Sequence, residues 1–510
     1  MFTYSRKPHD RANFGVSFPP LLPEHHHHHQ HILISDKKAS EMEKTTENGG
    51  GGRRRMKQNH VIVFPFPRHG HIRPMLQFSK RLISKGLLLT FLTTSSASQS
   101  LTFNLPSSPS FHLKIISDVP ESNDIATLDA YLRSFRAAVT KSLANFIDQA
   151  LISSSDEEVP PTFIVYDSVM PWVRSLATER GLDAAPFFTQ SAAVNHILHL
   201  VYGGSLSIPP PENVPILLPA EIVLQQGDLP SFPDDPEVVL EFMSSQFSNL
   251  ENVKWIFINT FDSLESKVVN WMAKTLPIKT VGPTIPSAYL DGRLKDDKAY
   301  GLNVSKSNNG ISLIQWLDSK ETASVVYISF GSLVILLEEQ VKELTYLLRD
   351  TAFSFLWVLR ESELEKLPKN FIQDTSERGL IVNWCCQLQV LSHEAVSCFV
   401  THCGWNSTLE ALSLGVPMIA IPQWVDQTTN AKFIADVWEV GVRVKKNEKG
   451  IVTKEELEAS IRKVVVQGER PNEFKQNSIK WKELAKEAVD EGGSSDKHIE
   501  EFVQAIVASN

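Results

Sequence analysis

The sequence predicts an α/β protein of two doubly wound, Rossmann-like domains that face each other across a cleft. Three observations predict it. Short apolar runs alternate with stretches of helical periodicity along most of the chain, the pattern of strand–helix–strand units in parallel sheets. The alternation stops near residue 283 and restarts after 309, so it comes in two halves. The length of 510 residues leaves room for two or three domains at about 100–200 residues each.

Residues 1–59 precede the first apolar run and read as a low-complexity, disordered leader. They hold His25 to His29 and His31, a glycine run at 49–52 and Arg53 to Arg55, with no periodic apolar pattern. Met42 and Met56 stand nearer the first strand, so the leader also reads as an overlong start. The first half, residues 60–283, opens with the strand 61–64, bounded by Pro65 and Pro67. Met75, Leu76, Phe78, Leu82 and Ile83 follow at helical spacing, then a strand at 87–92. Further strands are expected at 163–166 and 255–259. A polar, glycine-containing linker is expected at 284–309.

The second half, residues 310–485, reads as strands at 324–330, 355–359, 380–384, 397–401 and 417–421. Helices are expected at 338–349, 406–414 and 428–437. The pattern is helical from Thr453 on. The last segment, 486–510, is expected to be a helix packing back on the first domain. In open parallel sheets ligands bind beyond the carboxyl ends of the strands, so the chemistry is expected in the cleft between the halves. No GxGxxG follows any strand, which removes direct support for a dinucleotide-linked oxidoreductase.

Composition narrows the function further. Hydrophobic residues make up 42% and charged residues 21%, as in globular proteins. The net charge is −9, and beyond residue 59 there are 40 cationic against 53 anionic residues, or −13. An acidic body argues against nucleic acid as a partner, because phosphate backbones need clustered Lys and Arg. No apolar run reaches the ~18 residues of a membrane helix, and no signal peptide is evident. Cys385, Cys386, Cys398 and Cys403 match no common zinc spacing and read as free thiols in a reducing compartment, the cytoplasm.

Residues 384–427 read WCCQLQVLSHEAVSCFVTHCGWNSTLEALSLGVPMIAIPQWVDQ. The segment holds a strand, a turn at His402, Cys403, Gly404 and Trp405, and a helix opening near Asn406. Gly404 is expected to permit the tight turn and close backbone approach. The helix N-terminus offers free N–H groups and a positive dipole end, suited to phosphate, with His402, Asn406 and Ser407 clustered there as donors. Asp426 and Gln427 follow another strand and offer hydrogen-bonding groups to hydroxyls. Alone, Trp384 reads as a core aromatic, Glu410 as a solvated helix face and Gly404 as a turn; together they read as a donor site.

This segment resembles, over its full length, the signature box of plant family-1 UDP-sugar glycosyltransferases. The resemblance runs from about His60 to the C-terminal GGSSDKHIEEFV, and is nearest the group that glucosylates carboxylic acids, terpenoids and thiohydroximates. It implies the GT-B arrangement of two facing domains. It also implies that Trp384 stacks on uracil, the Cys385 backbone meets the uracil edge, and Gln387 and Glu410 hold the ribose. His402, Asn406, Ser407 and Ser332 would bind the diphosphate near Gly404. Trp405, Asp426 and Gln427 would bind the sugar, with Thr189 touching it from the other domain.

Transfer from UDP-sugar still needs a general base for the acceptor, a task suited to histidine. The resemblance selects His71, in Arg68-His69-Gly70-His71, over His69. It assigns Asp167 to orient the imidazole, in the logic of a hydrolase triad without its nucleophile. Read alone, His71 is a loop histidine and Asp167 a helix N-cap. His69 and Arg73 depart from the family pattern, and both are expected at the acceptor mouth. No Asp-x-Asp occurs, so metal-independent chemistry is expected, with the helix end and His402 stabilising the diphosphate.

The expected reaction is inverting transfer of glucose from UDP-glucose, with no further cofactor, to a hydroxyl or carboxyl of a small apolar acceptor. The enzyme is expected to act as a monomer. Another UDP-sugar, or a non-catalytic UDP-sugar binder, are the competing readings; a binder predicts a broken base, whereas His71 and Asp167 are both present. The acceptor is expected against 118–132, 196–208 and Pro209 to Pro211.

Overall fold

The computed structural model describes residues 59–509, except 101, 104–107, 120–126, 153–158, 212–214, 220, 233–234, 304–312 and 466–472. The leader at 1–58, the end of the linker and the middle of the 118–132 acceptor segment therefore lie outside the described residues.

Two parallel sheets organise the chain. The first comprises β1 (His60–Phe64), β2 (Leu88–Thr94), β3 (Phe111–Ile116), β4 (Pro161–Asp167), β5 (Asp183–Phe188), β6 (Ile256–Ile258) and β7 (Ile278–Thr280). Its spatial order is β7-β6-β5-β4-β1-β2-β3. The second comprises β8 (Val325–Ser329), β9 (Ser354–Val358), β10 (Gly379–Val382), β11 (Val396–Thr401), β12 (Met418–Ala420) and β13 (Gly441–Arg443), in the order β10-β9-β8-β11-β12-β13. β1, β2, β8 and β11 are buried along their whole length, as strands covered by helices on both faces must be.

The strand orders fix where a ligand can sit. In the first sheet the winding reverses between β1 and β4; in the second it reverses between β8 and β11. Each reversal opens a crevice at the carboxyl ends of two adjacent strands whose connections leave in opposite directions. Five helices frame these crevices and the seam between domains: α1 (His69–Ser84), α2 (Trp405–Leu414), α3 (Gln427–Lys432), α4 (Glu473–Val489) and α5 (Ser494–Ala508).

Several boundaries differ from the sequence expectation. The strand expected at 380–384 stops at Val382, leaving Trp384 on a loop. The helix expected from Asn406 opens one residue earlier, at Trp405. The helix expected at 428–437 is α3 followed by a π-helical turn, Phe433–Val437. β3, β5, β7 and β13 were not expected; β5 contains Pro186, and β7 and β13 have three residues each.

α4 runs on past residue 485 to Val489 and packs on α2. The chain then reverses through Gly492 at φ +74. A Cβ on Gly493 would fall 2.0 Å from the Glu487 carbonyl oxygen, so the close approach requires glycine. α5 packs on the first sheet. There Phe502 makes edge contacts with Phe163, Trp255 and Phe257, and Ser495 Oγ donates to the Gly282 carbonyl at 2.6 Å. The segment expected as a linker is tied to α1 by Lys80–Asp297 at 2.6 Å and Arg81–Asp291 at 2.5 Å. Among the described residues no helix is long and apolar enough to cross a membrane.

Candidate active site

β1 and β4 are adjacent and parallel, so the residues beyond their carboxyl ends meet. His71 lies in the first turn of α1 and Asp167 ends β4. His71 Nδ1 is 2.8 Å from Asp167 Oδ2. Asp167 is fully buried, and it also accepts from the backbone N–H groups of Phe66 (3.2 Å) and Val169 (3.3 Å). Its carboxylate is thus fixed by backbone donors on both sides while it holds the imidazole. The ring nitrogen opposite, Nε2, is the one left for a substrate proton. Thr189 was expected at the sugar; its Oγ1 lies 3.2 Å from His71 Nδ1, on the Asp167 side of the ring. His69 is pushed down to about 4 by burial, with Arg73 and Arg68 adding to the shift, so it stays neutral near pH 7.

The second crevice gathers the signature residues. Gly331, after β8, and Gly404, after β11, flank the His402 ring. A Cβ at Gly331 would lie 2.8 Å from that ring and one at Gly404 2.6 Å, and Gly331 also has φ +73. Ser332 follows, exposed, with its carbonyl accepting from Arg360. The left-handed residue of the turn is Cys403 at φ +67, whereas Gly404 has φ −58. Gly404 is therefore needed for the approach to His402, and the reversal expected of it falls on its neighbour. Burial pushes His402 down to about 4, which makes it a neutral hydrogen-bonding group.

Along α2, Asn406 Nδ2 donates to the Gly70 carbonyl at 2.9 Å, joining this helix end to the His71 loop. Ser407 Oγ accepts from Gln387 Nε2 at 2.9 Å. Glu410 is 1% exposed, not a solvated helix face. Its oxygens accept from Gln387 Nε2 at 2.8 Å and from the Tyr300 hydroxyl at 2.9 Å. Burial raises the Glu410 carboxyl, opposed by nearby Arg73. Arg73, expected at the acceptor mouth, instead sits over the Tyr300 ring at 5.2 Å, on the Glu410 side of the cleft. Trp384 and Cys385 are half-buried on the loop after β10. The four cysteines are free thiols, and burial pushes Cys385 and Cys398 up to about 12.

Trp405 was expected to bind sugar. Its indole is buried and donates to the Asn259 carbonyl of the first domain at 2.7 Å, and its backbone N–H bonds the Asp426 carboxylate. Asp426 accepts from Asn430 Nδ2 at 2.7 Å and is pushed up to about 6 by burial, while the nearby His71 opposes that rise. Gln427 is buried, and its side-chain oxygen accepts from the N–H groups of Gln423 and Trp424, so its amide nitrogen remains for a ligand.

Sequence reasoning missed the residues that join the domains. Ser231 and Val425 form an antiparallel bridge next to Asp426, with N···O distances of 3.2 and 2.7 Å. Thr428 and Thr429 donate to the Leu229 and Asp228 carbonyls, each at 2.6 Å. The Asp228 carboxylate pairs with Arg443 across the seam and accepts from the Gln225 N–H at 2.8 Å. Nothing periodic marks these positions; their role exists only once two distant segments meet.

Two facing Rossmann-like domains, a His–Asp pair at one switch point and a helix N-terminus at the other define a glycosyltransferase of the GT-B type. Comparison with known proteins agrees. The family described as UDP-glucoronosyl and UDP-glucosyl transferase matches residues 297–488. A mogroside I-E synthase of Siraitia grosvenorii is 72% identical over 88% of this chain and 98% of its own length. UDP-glycosyltransferase 74E2 of Arabidopsis thaliana is 45% identical over 87% and 98%. Os79 of O. sativa, solved in complex with UDP, superposes with a TM-score of 0.77 at 36% identity, covering 88% of this chain and all of that one. The chain belongs to the plant family-1 UDP-glycosyltransferases.

The seam yields a test. Asp228→Ala and Arg443→Ala should each lower stability by about 1–3 kcal/mol in urea titrations. Because the two groups share one interaction, the double variant should stay close to Asp228→Ala alone. Fully additive losses would show that the pair does not couple the domains.

Proposed function

We propose that the chain transfers glucose from UDP-glucose, with inversion, to a hydroxyl or carboxyl group of a small apolar plant metabolite. The observation that carries this reading is the 2.8 Å His71–Asp167 pair, facing Asp426 from the other domain. Family membership and a neighbour solved with UDP support the UDP-sugar donor. In this reading Trp384 stacks on uracil and the Cys385 backbone pairs with its edge. Gln387 and Glu410 receive the ribose. Ser332, His402, Asn406, Ser407 and the N–H groups after Gly404 receive the diphosphate. Asp426, braced by the Trp405 backbone N–H, and Gln427 hold the sugar.

The acceptor oxygen attacks the anomeric carbon opposite the phosphate. The new O–C bond forms as the C–O bond to UDP breaks, and the acceptor proton passes to His71 Nε2. Asp167 stabilises the imidazolium and Thr189 helps fix the ring. UDP leaves as an anion held by oriented donors, which need not reorganise as charge develops. A base with its orienting carboxylate intact favours this over the non-catalytic binder. Reduced thiols favour the cytoplasm, and we read the protein as a monomer.

The primary experiment is turnover of UDP-glucose with a panel of phenols, terpenoid alcohols, mogrosides and carboxylic acids, read by product mass. A gain of one hexose is expected; no gain on any acceptor would reject the activity. A carboxylate acceptor arrives ionised, so His71→Ala should cut kcat on hydroxyl acceptors by about 100-fold or more and on carboxylates by much less. Equal losses would remove His71 as the base.

No Asp-x-Asp occurs in the sequence to hold a divalent ion on the diphosphate. We read the transfer as metal-independent, with full rate retained in excess EDTA; loss of rate that Mg2+ restores would overturn this.

Asp426 adds a pH dependence. Its folded carboxyl lies near 6 against an ordinary 3.8, so the native state holds the extra proton between these values. Stability therefore falls as pH rises through that window. The protonated acid accepts fewer hydroxyl hydrogen bonds, so KM for UDP-glucose should climb as pH drops from 7 to 5. Asp426→Asn should flatten that climb; a flat wild-type profile would take Asp426 out of the sugar site.

A further inference from the structure

The first turns of α1 and α2 face each other across the cleft. Gly70 stands opposite Asn406, joined at 2.9 Å. One turn further along each helix, Arg73 stands opposite Glu410, with the Tyr300 ring between them. Arg73 therefore lies level with the gap between Asn406 and Glu410, where the proposed diphosphate and ribose positions adjoin.

Arg73 is half-buried, and its Nε is buried without a hydrogen-bond partner. Among the described residues it makes no ion pair and no hydrogen bond; its one contact of note is the Tyr300 ring. Glu410, the carboxylate that feels its charge, is already engaged through both oxygens. A guanidinium taken out of water without an anionic partner is costly, and it presents a fork of donors whose geometry suits phosphate oxygens.

The charge inventory points the same way. A diphosphate leaving group carries at least two negative charges. Against it the site sets a neutral His402, the neutral donors Ser332, Asn406 and Ser407, and a helix end worth about half a charge. The guanidinium of Arg360, beside Ser332, is already taken by the Ser332 and Val334 carbonyls and by Glu363, which leaves Arg73 as the guanidinium without such partners.

We propose that Arg73, reaching from the first domain, binds the donor's diphosphate and supplies the cationic charge that stabilises UDP as it departs. This rests on the UDP-sugar reading above. It makes charge neutralisation a product of domain apposition: the neutral donors come from one domain and the cation from the other.

The test separates charge from packing by comparing two ligands that differ only in phosphate. Affinities of UDP and uridine are measured by calorimetry for the wild type, Arg73→Gln and Arg73→Lys. Arg73→Gln should weaken UDP by at least tenfold and leave uridine within twofold, which also shows that the variant is folded. Arg73→Lys should recover part of the UDP affinity, and kcat with UDP-glucose should follow the same order. Equal weakening of UDP and uridine would mean that Arg73 merely holds Tyr300, and would overturn the proposal. Unchanged UDP affinity in Arg73→Gln would overturn it too, leaving the donor reading intact. A wild-type protein that bound neither ligand would sink both.

Discussion

The indole of Trp405 leaves its own domain and donates to the Asn259 carbonyl of the other. Most of the site depends on that contact. Trp405 is the first residue of α2, so holding its side chain fixes the N-terminus of the helix against the strand ends of the first sheet. Asn406 can then reach the Gly70 carbonyl. Asn430 extends the clamp, bonding Asp426, the Cys403 carbonyl and Ser191 of the first domain. The His71–Asp167 pair and the N-terminus of α2 come from separate domains, and this seam sets the distance between them.

Two residues beside the site adopt a left-handed backbone without being glycine, Cys403 at φ +67 and Val425 at φ +56. Such conformations cost of order 1–3 kcal/mol each and persist only where the surroundings over-determine them. Both are over-determined. The Cys403 N–H donates to Thr401 Oγ1 at 3.1 Å while its carbonyl accepts from Asn430, and Val425 is bonded in both directions to Ser231. The two left-handed residues directly adjoin His402 and Asp426.

The long buried strands and the signature segment were legible because their signals are local. A run such as Val61 to Phe64 is apolar whatever surrounds it, and the pattern from Trp384 to Gln427 carries its own spacing. β3 escaped notice because His112 and Lys114 interrupt its apolar residues and only its ends are buried, and β7 and β13 because Lys279 and Arg443 leave their three residues no apolar run. Tyr300, Asp228 and Arg443 were unreadable for a different reason: each acts through a partner more than 100 positions away. The same limit hid the spatial neighbour of Arg73, the Tyr300 ring.

The bridge between Ser231 and Val425, with the Asp228–Arg443 pair beside it, also bears on recombination. A natural temptation with two-domain enzymes is to graft the acceptor half of one onto the sugar half of another. In this chain the loop around Asp228 to Ser231 belongs to the first domain by position, yet it forms part of the wall beside Asp426. A hybrid crossing over at the interdomain linker would inherit mismatched partners at that wall. The heritable unit of specificity is therefore not a half-molecule but a half-molecule together with the opposing surface that it was fitted against.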